Sequence, residues 1–171
     1  HYTLFADRPA LARSARIVNE GTLDLHLTHA MSLCLDLPDS GYEFVHFSGA
    51  WARERWMKVR RLEQGTQSVE SARGHSSHNH NPFIMLRRPG TDEDQGEVIG
   101  LSLIYSGNFL AQAEVDTWDT TRVTLGINPF GFDWKLPPGE AFQTPEAVVV
   151  YSCRGMNAMS QVFHRLYRTR L

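Results

Sequence analysis

Three histidines fall within six residues of the stretch RGHSSHNHNPF, Arg73 to Phe83: His75, His78 and His80. Imidazoles at this density suit zinc. On an extended segment His78 and His80 project to one side, and His75 completes a set of three only if the chain curls. The same stretch holds two serines, two asparagines and a proline. Serine and asparagine hydrogen-bond their own backbone, and Pro82 forces Asn81 toward an extended shape. The stretch is therefore a zinc site, a ligand-facing loop, or a polar turn that its own side chains tie down. Its composition favours the turn.

A second stretch, GAWARERWMKVRRL, sets Trp51 and Trp56 beside Arg53, Arg55, Arg60 and Arg61. Indole faces stack on the flat CH faces of sugars, and guanidinium groups hydrogen-bond their hydroxyls. The simpler alternative is a partly exposed sheet face on which long side chains lay their stems over apolar surface. Asp116 and Asp119 are the nearest pair of carboxylates that could do acid/base work on a glycosidic bond, but they fall in what reads as a hairpin bend. Tyr105–Phe109, YSGNF, lacks the strained serine elbow of a serine hydrolase.

The elements that must position these residues are mainly strands. In LDLHLTHAMSLCLDL, Leu23–Leu37, apolar residues alternate with polar ones, predicting a half-buried strand with Leu23, Leu25 and Leu27 on one face. The stretches EVIGLSLIYSG, AEVDTWDTTRVTLGI and EAVVVYS are rich in β-branched and aromatic residues and bounded by turns. About ten strand candidates recur at the spacing of an all-β sandwich or barrel. The acidic cluster Asp92, Glu93, Asp94 reads as a solvated loop without calcium-loop spacing. One helix is legible, GMNAMSQVFHRLYRTRL: Met156, Met159, Phe163, Leu166 and Tyr167 form an apolar stripe, His164 falls off it, and Arg165, Arg168 and Arg170 gather at its end.

The 171 residues suit one domain or a piece of a larger protein, and 42% hydrophobic residues suffice for a core. A net charge of −2 gives no footprint for nucleic acid or anionic lipid, no apolar run reaches membrane-span length, and the first residues do not read as a signal peptide. Cys34 and Cys153 sit in apolar runs, which predicts buried, unpaired thiols and a reducing, cytoplasmic location. The chain opens directly on a strand pattern and closes on an apolar helix stripe, so a fragment is expected, with open sheet edges that self-associate.

Several long stretches read together resemble one family: SGAWARERW, RGHSSHNHNPF, GLSLIYSGNFLAQAEVD, TTRVTLGINPFGFDWKLPPGEAFQTPEAVVVYS and GMNAMSQVFHRLYRTRL. They are similar to the N-terminal domain of the bacterial α-galactosidases of glycoside hydrolase family 36, and the likeness runs from about Tyr2 to Leu171. The resemblance implies an all-β fold: an antiparallel β-supersandwich of the galactose-mutarotase-like kind, truncated at its start, with a C-terminal helix. Residues 1–154 would belong to that domain, and residues 155–171 to a helix leading toward a (β/α)8 catalytic barrel.

The resemblance further implies hydrolysis, by the whole protein, of terminal α-linked galactose from melibiose, raffinose and related sugars with retention of configuration. It implies no metal and no organic cofactor, a homo-oligomer, and two catalytic aspartates that belong to the barrel. No catalytic residue is therefore assigned here, and Asp116 and Asp119 are not that pair. His75, His78 and His80 would shape a loop held by Asn79, Asn81 and the serines. Trp51, Arg53, Arg55, His75, His78, His80 and Asn81 are the candidates for contact with substrate or with a neighbouring subunit. Two rivals remain: an autonomous carbohydrate-binding module stacking sugar on Trp51, Trp56 or Trp118, and a zinc protein built on the three histidines.

Overall fold

The computed structural model describes residues 1–170, which form fifteen strands and one helix. The strands are β1 (Tyr2–Leu4), β2 (Ala10–Arg13), β3 (Arg16–Val18), β4 (Leu25–Leu27), β5 (Met31–Leu37), β6 (Glu43–Ala50), β7 (Arg53–Arg61) and β8 (Gly65–Glu70). They continue as β9 (His80–Arg87), β10 (Val98–Ile104), β11 (Phe109–Val115), β12 (Thr121–Ile127), β13 (Trp134–Leu136), β14 (Ala141–Gln143) and β15 (Glu146–Ser152); the helix α1 is Gly155–Arg170. Seven strands make one antiparallel sheet in the order β1-β2-β15-β10-β9-β6-β7, and four make a second in the order β5-β12-β11-β8. Two short ribbons, β4 with β13 and β3 with β14, complete the set. The count exceeds ten because three-residue strands carry too few residues to show a period.

The two sheets face each other over one core. Phe44, Ile84, Leu86, Leu101 and Leu103 of the larger sheet meet Leu33, Phe109, Ala111, Val123 and Leu125 of the smaller. The alternate residues of the larger sheet, Val45, Met85, Val98, Val148 and Val150, point the other way, where Met159, Phe163 and Leu166 of α1 cover them. A sheet covered on both faces needs apolar residues at both parities. Hence β10 reads as the unbroken run VIGLSLI, buried along nearly its whole length, although antiparallel sheets usually alternate.

The helix lies close because β10 has no side chain at Gly100. A Cβ there would fall 2.5 Å from Met159 Sδ and 2.8 Å from the Phe163 ring. The helix begins at Gly155, whose φ of 73° lies in the left-handed region. Its N–H donates to the Gly96 carbonyl, and those of Met156 and Asn157 donate to the carbonyls of Asp92 and Glu93, all at 2.9 Å. The acidic turn thus serves the unpaired N–H groups of the first helical turn with backbone oxygens. Within the turn, the Asp92 carboxylate accepts from the N–H groups of Asp94 and Gln95, each at 2.9 Å.

Two expectations need correction. Leu23–Leu37 is not one strand: it breaks into β4 and β5, and Leu23 is 77% exposed in the turn before β4. On the β4–β13 ribbon Leu27 and Leu136 pack into a small apolar cluster, while Leu25, on the same face and opposite Leu136 in register, remains 44% exposed. Cys34 and Cys153 are exposed rather than buried. Cys34 shares the outer face of β5 with exposed Asp36, and Cys153 follows the last residue of β15. No described helix is long and apolar enough to cross a membrane.

Candidate functional site

One end of the sandwich gathers most of the residues that the sequence marks out. There β6 turns into β7 through Trp51 and Ala52, and β9 begins at His80. In register, Ser48 of β6 faces Trp56 of β7 on one side and His80 of β9 on the other. Both pairings shift near Ser48, so the hairpin is bulged. Ala52 and Arg55 both adopt left-handed φ values, 64° and 59°. Non-glycine residues in that region cost about 1 kcal/mol or more and persist only where the surroundings impose them. Here the Ala52 N–H donates to Glu54 Oε1 at 2.9 Å, and the Gly49 N–H donates to the Asn79 carbonyl at 3.1 Å.

The histidine loop is held by its polar neighbours. The Ser71 hydroxyl donates to the His75 carbonyl at 2.6 Å. The Gly74 N–H donates to Asn108 Oδ1 at 2.6 Å, and the Ser76 N–H to the Ser106 carbonyl at 2.8 Å. Arg73 Nη1 donates to Asn79 Oδ1 at 3.2 Å, and Ser77 bridges to His80 in a tight turn. Beneath it lies Asn128, only 2% exposed. Its Nδ2 donates to Glu70 and to the Ser71 carbonyl, its backbone N–H donates to the Asn108 carbonyl, and its Oδ1 accepts from the Phe130 N–H. One buried amide therefore ties three loops together. In the sequence Asn128 sits in NPFGF and reads only as a turn residue.

The loop is not extended, so His78 and His80 do not act as a pair. His75 and His78 are exposed, while His80 is half-buried with its ring centroid 6.2 Å from that of His46. Among the described residues no three His, Cys, Asp or Glu side chains come together as metal ligands. His46, on β6, is the residue that sequence inspection passed over. It is 8% exposed, and its Nδ1 has no hydrogen-bond partner; nor does that of His80. Burial, then the nearby Arg60 and His80, pushes the His46 pKa down to about 4. Burial, then Arg73, lowers that of His80 as well.

Trp51 stands at the hairpin tip, 86% exposed, with Arg53 and Arg55 exposed behind it. Asn81 follows His80 on β9 and lines the side of the sheet that α1 occupies. Trp118 is elsewhere. It sits in the β11–β12 turn at the opposite end, separated from the loops by the length of β11, roughly 20 Å. Asp116 and Asp119 share that distant turn. Asp116 Oδ1 accepts from the N–H groups of Trp118 and Thr120 at 2.8 and 2.9 Å, and Asp119 has a φ of 60°. The Asp116 carboxylate and the left-handed backbone of Asp119 shape the turn. The loop end thus offers an exposed indole, two cations and two imidazoles on a braced platform. Such a surface can contact a sugar or another protein.

The family model "Glycosyl hydrolase family 36 N-terminal domain" matches residues 1–137. The chain is 55% identical over 170 residues to α-galactosidase AgaA of Geobacillus stearothermophilus, covering 99% of this chain but 23% of that protein. It is 42% identical over 170 residues to a probable α-galactosidase C of Aspergillus terreus, again covering 99% and 23%. Among solved structures, a variant of G. stearothermophilus AgaA in complex with raffinose superposes with a TM-score of 0.97 at 55% identity, covering 99% of this chain and 24% of that one. The chain therefore spans about a quarter of the length of the relatives it matches.

Proposed function

Because the chain belongs to the glycosyl hydrolase family 36 N-terminal domain family, we propose that it forms the non-catalytic β-sandwich of a longer retaining α-galactosidase. The whole protein would release terminal α-linked galactose from galacto-oligosaccharides such as melibiose and raffinose. The observation that carries this is 55% identity to AgaA along 99% of the chain. The catalytic pair is assigned to a (β/α)8 barrel following residue 171, and residues 155–171 to the connection.

In that protein the sandwich packs against the barrel and builds the homo-oligomer. Its loop end narrows the sugar pocket of a neighbouring subunit, with Trp51, Arg53, Arg55, His75 and His78 as the contact surface and His80 and Asn81 behind them. The side chains there are chemically suited to sugar contact. An exposed indole stacks on a sugar face, guanidinium and imidazole N–H groups donate to hydroxyls, and the braced loops bind without large ordering cost. The exposed, unpaired thiols Cys34 and Cys153 favour a reducing compartment, and we assign the protein to the cytoplasm.

The test compares hydrolysis of p-nitrophenyl α-galactoside and raffinose by the full-length protein, its Trp51→Ala variant and the 171-residue chain alone. The full-length protein hydrolyses both and the chain alone neither. Trp51→Ala raises KM for raffinose several-fold, with the smaller substrate little affected. Activity in the chain alone would place catalytic carboxylates here and overturn the proposal. Unchanged raffinose kinetics would remove the loop end from the pocket.

A further inference from the structure

The larger sheet is covered unevenly. Helix α1 lies over β15 and β10; on the same face Val45 of β6 and Met85 of β9 are buried beside it, Phe47 and Phe83 are half-buried, and β7 is left open. Between α1 and these strands runs a groove of about 620 Å³, lined by Phe47, Met57, Phe83, Met85, Phe163 and Tyr167 among others. The lining is aromatic and thioether in character, soft enough to mould to an apolar partner. Met57 and Val59 on β7 are 45% and 40% exposed there. Asn81 projects a buried Oδ1 into the same region with no donor to satisfy it. A buried acceptor without a partner costs about 1–3 kcal/mol, so a donor is owed to it.

The dimensions suit a helix. Strands lie about 4.8 Å apart, so the strip beside α1 from β9 across β6 to β7 is roughly 10 Å wide, one helix diameter. The polypeptide that would supply it starts nearby. The last turns of α1 border the groove through Tyr167, whose hydroxyl donates to Ser102 Oγ at 2.7 Å. The related α-galactosidases are about four times as long as this chain, so most of their polypeptide lies outside the matched part.

We propose that the groove between α1 and β9-β6-β7 is the docking seat for a helix from the polypeptide following residue 171. That helix lies beside α1, apolar toward Phe47, Met57 and Phe83, and places a hydrogen-bond donor on Asn81. The inference rests on the chain being part of a longer α-galactosidase and names the surface through which the sandwich is fastened. A second copy of the chain, or a small apolar ligand, are the rival occupants.

The five methionines of the chain provide an internal measure. Met57 is exposed in this structure, whereas Met85 and Met159 are buried. The full-length protein is treated with hydrogen peroxide at two protein concentrations a hundredfold apart, and oxidation of each methionine is followed by peptide mass spectrometry. A seated helix makes Met57 oxidise as slowly as Met85 and Met159 at both concentrations. Oxidation of Met57 at least tenfold faster than theirs overturns the proposal, because the groove is then open. Protection lost on dilution overturns it in favour of a second copy.

A Met57→Glu variant of the full-length protein supplies a second readout. Burying its carboxylate under the helix lowers Tm by several degrees, and an unchanged Tm together with protected Met57 assigns the groove to a small ligand instead, which also overturns the proposal. Hydrolysis of p-nitrophenyl α-galactoside is measured on the same sample. Its absence would sink the α-galactosidase function while leaving the Met57 result to stand alone.

Discussion

At the scale of residues, buried His46 and half-buried His80 set a pH limit. His46 ordinarily titrates near 6.5 but is held near 4 in the fold, chiefly by burial. Between those values the unfolded chain binds a proton that the folded chain does not, so stability rises with pH through this window and falls on acidification. The span corresponds to about 3 kcal/mol at most, and the downward shift of His80 acts in the same direction. Urea denaturation of the chain is expected to show a midpoint that drops steadily from pH 7 to pH 4.5. The slope flattens in a His46→Phe variant. A midpoint independent of pH would mean that His46 takes up a proton as readily in the fold as in the unfolded chain. Nothing in EFVHFSGA reveals this histidine, because a strand buried on both faces offers no polar side on which a polar residue would look misplaced. The clustered His75 and His78 attract notice and yet are solvated. The cysteines mislead in the same way, since an apolar neighbourhood in sequence does not say which face a side chain takes.

At the scale of elements, period and composition reveal much and contact reveals the rest. The runs that become β10, β11, β12 and β15 are legible from branched and aromatic content, and the α1 stripe from its steps of three and four. The buried stripe residues Met159, Phe163 and Leu166 are those expected. What the sequence does not display is how near α1 comes to β10. That depends on Gly100, where any side chain meets Met159 and Phe163. Gly100→Val is expected to destabilise the chain by about 1–3 kcal/mol through overpacking, measured as a lower urea midpoint. Gly100→Ala should cost less, because the Met159 thioether can swing aside. Equal stability of all three would show that the helix rides higher on the sheet. Strand β7 makes a related point. All nine of its residues are exposed, and five are basic. Edge strands, whose backbone is unpaired on one side, are commonly guarded by charge, so its Arg-rich pattern reflects an edge.

At the scale of the whole molecule, three layers result: a four-stranded sheet, a seven-stranded sheet and one helix. The smaller sheet spans only part of the larger, with β5 across β15, β12 across β10, and β11 and β8 across β9. Strand β7 overhangs on one side and exposed β1 on the other. Two open edges and an apolar groove are expected to make the isolated chain self-associate as concentration rises. Sedimentation would show a mass above 19.4 kDa that falls on dilution. A monomer at all concentrations would mean that the charged edge suffices to keep copies apart. The all-β class was legible in the sequence, and the family likeness named the architecture. The order of strands was not, because it depends on pairings between distant segments that leave no local trace.

One such pairing bears on how the protein is made. Strand β2 lies between β1 and β15, with Ala12 opposite Val148. On a ribosome adding roughly 5–20 residues per second, β2 emerges on the order of ten seconds before the strand that completes it. Through that interval its apolar residues and unpaired backbone have no native neighbour on their inner side. Strand β2 is thus made well before it is secured, and nascent chains of this protein should depend on chaperone cover until β15 clears the exit tunnel.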